Sequence, residues 1–212
     1  MITNYFKIIK YSQDYAIPEE NCAELADEAI DRLDASYRSE YELAAPRYDD
    51  VGRLLKNSED RSLRRFGIAS TIRAVLSAAS TEKASSVFKL LIPTALNDFS
   101  PQVADEMLQV GVKAIDVHGT DLMDIILPLF ENYLQAGKSS GDADGARQSV
   151  VVLLGRLASH LPRDDPRVKP IIGKLISALS VPSEKIQKAV SLCLPPLGIF
   201  YLHFRVFRTH VY

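Results

Sequence analysis

Apolar residues recur along this chain at helical spacing, in segments separated by proline, glycine and polar residues. The first segment predicts a helix that begins near Pro18 and ends at about Ala44. Proline suits the first helical turn, and the two acidic residues after it complement the positive end of the helix dipole. The apolar side chains of this helix form one stripe, which consists of Cys22, Leu25, Ala26, Ala29, Ile30 and Leu33.

The remaining segments extend this helical pattern. Polar residues 47–61 predict a long connection, after which a second helix carries Leu63, Phe66, Ile68, Ile72 and Val75. An apolar run at 87–96 leads into a turn, and Pro101 suits the start of the next helix. Gly119 is expected to end that helix, because glycine commonly follows a helix C-terminus. Further helices are predicted at 122–134, 146–160, 168–179 and 182–194, with a Gly/Ser/Asp loop at 136–145.

The helices repeat with a regular period. Placing Leu63, Val103, Ala146 and Ile186 in register gives spacings of 40, 43 and 40 residues. Similar residues follow four positions on, at Gly67, Met107, Val150 and Val190, and eleven positions on, at Ala74, Ala114, Leu157 and Leu197. A proline also marks the apolar helix before each of the last three copies, at Pro93, Pro128 and Pro170.

Paired helices at a period of about 40 to 47 residues are typical of HEAT and armadillo arrays. Only two helices fit in each unit here, so the sequence predicts an all-α HEAT-repeat α-solenoid, an armadillo-like superhelix. A globular helical bundle with accidental periodicity is the alternative. We expect an uncertain N-terminal segment at 1–17, about four helix pairs at 18–197, and a divergent, strand-like aromatic tail at 198–212, which a truncated gene product would explain.

Composition is that of a folded, soluble helical protein, with 47% apolar residues, 25% charged residues and no tryptophan. The net charge of -2 gives no overall field for steering onto nucleic acid or membrane. Residues 1–15 lack the features of a secretory signal, and no run of 18 apolar residues occurs. These observations predict a cytosolic or nuclear protein without a membrane span, in which Cys22 and Cys193 are buried, reduced thiols.

Candidate chemistry is sparse. His118 and His160 are expected to cap helix ends, while His203 and His210 lie in the tail without further ligands at metal-binding spacing. The fragment Gly-Lys-Ser-Ser at 137–140 lacks the first glycine of a phosphate-binding loop, and the acidic loop at 141–145 lacks the glutamate of a calcium loop. The acidic pairs at 49–50 and 164–165 are interpreted as solvated loops and caps, with Asp165 as a helix N-cap before Pro166.

Basic residues are the remaining candidates for binding. They could contact phosphates if one edge gathers them, or they could belong to an ordinary mixed surface. The residues concerned are Arg61, Arg64, Arg65, Arg163, Arg167, Lys169 and Lys174. No catalytic, cofactor-binding or metal-binding residue is assigned, so the sequence predicts a non-enzyme. A helical bundle with an active site built from scattered Asp, His and Arg residues is the competing class.

Four stretches resemble the family of the general control non-derepressible activator: LIPTALND at 91–98, LPLFENYL at 127–134, ARQSVVVLLG at 146–155 and SLCLPPL at 191–197. The resemblance extends over residues 24–197 and concerns the middle of a very large HEAT-repeat protein. That family regulates the kinase that phosphorylates the alpha subunit of translation initiation factor two.

The resemblance implies a cytosolic scaffold that binds translating or stalled ribosomes. With an ATP-binding-cassette partner protein, the family helps uncharged transfer RNA to activate the kinase during amino-acid starvation. Its kinase-binding segment lies further towards the C-terminus, so contact with the kinase is expected only through regions missing here. No direct sequence-specific binding of nucleic acid is expected, and the surface that binds partners stays unknown. An unrelated HEAT adaptor without a ribosomal role is the alternative.

Overall fold

A computed structural model describes residues 19–42, 51–92, 94–136, 144–162, 164–180 and 183–194. Within these ranges all regular secondary structure is helical, which confirms the predicted all-α class. The α-helices are α1 (Glu19–Glu42), α2 (Val51–Val75), α3 (Thr81–Leu91), α4 (Pro101–Ala136), α5 (Asp144–Ala158), α6 (Val168–Ala178) and α7 (Glu184–Cys193). Short 3-10 turns occur at Leu76–Ala78 and Ala95–Asn97. The segments predicted at 1–17 and 198–212 lie outside the described residues.

Residues 1–118 form one compact unit, unit 1, in which α1 packs against α2, α3 and the first 3-10 turn. The buried residues of α1 recur at spacings of three and four, so they line one face of the helix. They are Ala26, Ala29, Ile30, Leu33 and Tyr37, which confirms most of the predicted stripe. Cys22 and Leu25 are only partly buried.

Two predictions for unit 1 are wrong. Residues 51–61 are the start of α2, not a connection. Leu54, Leu55 and Lys56 within them are good helix formers. The apolar run at 87–96 does not continue as a helix through Pro93, since α3 ends at Leu91 and Ile92 has φ −117° and ψ 118°. A residue before proline favours this extended conformation. Ser80 is the N-cap of α3, and its hydroxyl accepts a hydrogen bond from the backbone N–H of Lys83.

Helix α4 corrects the prediction that Gly119 ends a helix. The helix continues for 36 residues, from Pro101 to Ala136, and passes through Gly119 without interruption. Pro128 lies inside it, as predicted for the second of the two expected segments. Both His118 and Gly119 are buried. Packing around them therefore keeps this position helical, although the local sequence signals the end of a helix.

Residues 119–212 form the second compact unit, unit 2, in which α5 packs against α6 and α7. The predicted helices at 146–160, 168–179 and 182–194 correspond closely to α5, α6 and α7. Apolar residues of all three helices form the core of the unit: Val150, Val151, Leu153, Leu154, Leu157, Ile171, Leu175, Ile186, Ala189 and Val190. Cys193 lies in the α5–α7 contact and is only partly buried, whereas the sequence predicted a buried thiol. This partial burial raises the pKa of its thiol from 9.0 to about 11.

Burial confirms the repeat but shifts its first copy by one residue. Leu63 is exposed, whereas Val103, Ala146 and Ile186 are buried. When Arg64 takes the place of Leu63, the first spacing becomes 39 residues; Arg64 is itself exposed, but the positions four, eight and eleven residues further on are buried in every copy where the structure describes them. These are Ile68, Met107, Val150 and Val190 four positions on, Ile72, Gly111, Leu154 and Leu194 eight positions on, and Val75, Ala114 and Leu157 eleven positions on.

Candidate interaction surfaces

Arg65 is the centre of a buried polar cluster in unit 1. Its Nη1 donates a hydrogen bond of 3.0 Å to Oδ2 of Asp98, and its Nη2 donates to the carbonyl of Ser36 at 3.4 Å. The guanidinium lies 4.1 Å from the ring centre of Tyr37, whose hydroxyl donates to the same Asp98 oxygen at 2.8 Å. The side chains of Arg65 and Asp98 are 2% and 0% exposed. Arg65 is therefore a structural residue and not a phosphate ligand.

A second polar link joins α2 to α4 through Glu106. Its Oε1 accepts hydrogen bonds from the hydroxyl of Ser70 at 3.0 Å and from Nε of Arg73 at 2.7 Å. Arg73 and Glu106 are 33 residues apart, as are Arg65 and Asp98. Because residues eight positions apart on α2 contact residues eight positions apart, in the same order, on the other segment, the two run in the same direction. Helix α2 is therefore parallel to the segment that begins at Asp98.

In unit 2, the candidate bases Arg167 and Lys174 pair with carboxylates. Arg167 donates to Oδ1 of Asp124 at 3.0 Å and to both oxygens of Asp165, and Lys174 lies 3.1 Å from Glu131. Asp124 and Glu131 belong to α4, and each pairs with a base 43 residues later. Surface pairs of this kind stabilise only slightly, because solvent screens them, but they fix which positions of two helices lie side by side.

The order of acid and base along the chain differs from one pair of helices to another. From α1 to α3, Asp31 pairs with Lys83, so the acid precedes the base, as it does from α4 to α6. From α2 to α4 the base comes first, as Arg73 and Glu106 show, and Arg65 likewise precedes Asp98 in the turn before α4. An acid therefore faces a base at each of these contacts, and no like charges are opposed in them.

The other basic candidates do not complete a patch with these residues. Arg64 and Lys169 are exposed, Arg61 is half-buried, and Arg163 lies outside the described residues. Arg61 and Arg64 belong to unit 1, whereas Lys169 belongs to unit 2. Among the described side chains, the predicted bases are thus divided between structural pairs and scattered surface positions, which favours the ordinary mixed surface.

Of the two histidines predicted to cap helix ends, His118 is placed elsewhere and His160 lies at the end of a helix. His118 lies within α4, where its Nε2 is 3.2 Å from the carbonyl oxygen of Leu76. It is thus a buried packing residue and does not cap a helix end. His160 lies two residues beyond the end of α5, in a turn in which its N–H donates to the carbonyl of Leu157. His203 and His210 fall outside the described residues.

Acidic residues at 164–165 form a turn and not a catalytic pair. Asp164 is exposed, while Oδ1 of Asp165 accepts a hydrogen bond from the N–H of Arg167 at 2.8 Å. The side-chain hydrogen bond from Arg167 holds the pKa of Asp165 below its ordinary value. The predicted N-cap is displaced by two residues, because α6 begins after Arg167.

The other sequence candidates give no chemical centre in the part of the chain that is described. The acidic pair at 49–50 and the loop at 137–143 lie outside it, and its His, Cys, Asp and Glu residues form no group suited to a metal ion. None of the described helices combines the length and apolar character needed to cross a bilayer.

Sequence reasoning missed two features of unit 1. The first is the cluster around Arg65, because many base–acid pairs in the sequence share a 33-residue separation and only the structure shows which of them are in contact. The second is a set of exposed apolar side chains at Leu63, Phe66 and Phe99. The first two of these were predicted to belong to a helix, but helical spacing alone does not state which face is covered.

Comparison with known families gives the decisive observation. A family model described as "Stalled ribosome sensor GCN1, HEAT repeats" matches residues 15–159. This match covers more than half of the chain. The chain belongs to the GCN1 family of HEAT-repeat proteins.

Relatives in the GCN1 family show the same similarity. The human "Stalled ribosome sensor GCN1" is 38% identical over 173 residues, which are 81% of this chain and 6% of the human protein. The Arabidopsis thaliana "Protein ILITYHIA" is 40% identical over 134 residues, or 63% of this chain and 5% of that protein. The Saccharomyces cerevisiae "eIF-2-alpha kinase activator GCN1" is 32% identical over 167 residues, or 76% of this chain and 6% of that protein.

The similarity has two limits. The chain spans only about 6% of the length of the human and yeast GCN1 proteins. No solved structure matches it significantly. Membership of the GCN1 family nevertheless confirms both the predicted resemblance and the HEAT-repeat fold class, because the matching model consists of HEAT repeats.

Proposed function

We propose that this chain is a scaffold segment of a ribosome-associated activator of the kinase that phosphorylates initiation factor two alpha. The match of the GCN1 HEAT-repeat model to residues 15–159 carries the proposal. The names of the human and yeast relatives, a stalled ribosome sensor and an eIF-2-alpha kinase activator, support it. Because these relatives are far longer than the chain, their activity is assigned to this segment only as part of the proposal.

Such a segment acts by binding and makes or breaks no covalent bond. Paired helices present side chains at a fixed period, and the ion pairs Arg73–Glu106 and Lys174–Glu131 hold neighbouring helices in register. We assign the solenoid to residues 18–197 and place the protein in the cytosol with ribosomes. An ATP-binding-cassette partner and contact with the kinase through other regions of the family complete the proposed pathway.

Sedimentation with purified ribosomes tests the proposed contact directly. The chain is mixed with ribosomes and centrifuged through a sucrose cushion, and the pelleted fraction is measured as the salt concentration rises. Since the net charge is -2, long-range attraction to ribosomal RNA contributes little, and specific binding is expected to persist at physiological salt. Recovery of the chain only in the supernatant, or pelleting that disappears on a modest increase in salt, would contradict the proposal.

A cellular measurement tests the link to the kinase. We expect cells that lack the gene to show less phosphorylation of initiation factor two alpha during amino-acid starvation, and overexpression of the chain to lower it in normal cells by competing for ribosomes. Phosphorylation that is unchanged in both experiments would exclude the regulatory role. The unrelated-adaptor alternative predicts that unchanged result.

A further inference from the structure

We draw no further inference here: the strongest candidate, the exposed apolar face of α2 at Leu63 and Phe66 in unit 1, carries none because nothing in the structure shows what covers it.

Discussion

Gly155 of α5 and Cys193 of α7 are in such close contact that no side chain fits between them. A Cβ atom added at Gly155 would lie 2.5 Å from Cβ of Cys193 and closer still to its Sγ. The thiol of Cys193 in turn lies 3.8 Å from the carbonyl oxygen of Val151. The absence of a side chain at residue 155 thus sets how near α7 approaches α5.

Gly155→Ala is expected to destabilise unit 2. The new methyl group must displace Cys193 and with it part of α7, and overpacking of this kind typically costs about 1–3 kcal/mol. The free energy of unfolding from urea titrations followed by circular dichroism measures the effect.

Gly173→Ala is the matched control, because a Cβ atom there meets nothing within 4 Å. It should stabilise the protein by roughly 0.5–1 kcal/mol through helix propensity. Combining Gly155→Ala with Cys193→Ala should restore only a small part of the lost stability, since the sulfur is removed but Cβ of residue 193 stays 2.5 Å from the new methyl group. Equal effects of the two glycine substitutions would show that the close approach is absent.

Asp98→Ala is expected to be among the most damaging single changes in unit 1. It leaves the guanidinium of buried Arg65 without its carboxylate and the hydroxyl of Tyr37 without its acceptor. Removing one partner of a buried ion pair costs about 3–5 kcal/mol. Thermal unfolding or urea titration measures the loss.

The surface pair Lys83–Asp31 provides the comparison. Lys83→Ala removes an ion pair of 2.8 Å that is well exposed to solvent, and such pairs contribute far less to stability than buried ones. Similar losses for Asp98→Ala and Lys83→Ala would mean that the Arg65 cluster is solvated in solution.

Cys193 is predicted to react slowly with thiol reagents in the folded protein. Burial raises its pKa from 9.0 to about 11, so near neutral pH its thiolate fraction is roughly 100-fold lower than in the unfolded chain. In a Cys22→Ala chain only this thiol remains, and its reaction with a chromogenic disulfide can be compared with and without urea. Equal rates in the two conditions would contradict the burial of Cys193, and a Cys193→Ala chain shows the behaviour of Cys22 alone.

Asp165 gives unit 2 a pH dependence of defined sign. Because hydrogen bonds from Arg167 lower the pKa of this carboxyl in the folded state, its contribution to stability is present above the ordinary pKa of aspartate, about 3.9. The contribution is lost as the pH falls through the lower folded value. The difference in urea midpoint between the wild type and Asp165→Asn should therefore be constant near neutral pH and vanish in acid.

Asp164→Asn is the control for this titration, since Asp164 is the exposed neighbour of Asp165. Its urea midpoint near neutral pH should match that of the wild type. A difference for Asp165→Asn that grows as the pH falls would reverse the predicted sign and exclude the Arg167 contact.

The ends of helices α5, α6 and α7 were predictable to within two residues, and the repeat that relates these helices was predictable too. Their apolar spacing, their terminal prolines and the loops between them are local properties of the sequence. The start of α2 was not predictable from the pattern of polar residues. Residues 51–61 have no apolar stripe strong enough to distinguish a helix from a connection.

The sequence by itself determined the helical class, the period of about 40 residues and the family, because helix propensity, helical spacing and similarity are all carried by the order of residues. Tertiary structure decided three further features: the burial of Arg65, the continuity of α4 through Gly119, and the one-residue shift of the first repeat. Each depends on atoms far away in the chain, as when Asp98 and Tyr37 surround the guanidinium of Arg65. A charge is buried only where such partners converge, and local sequence does not contain that information.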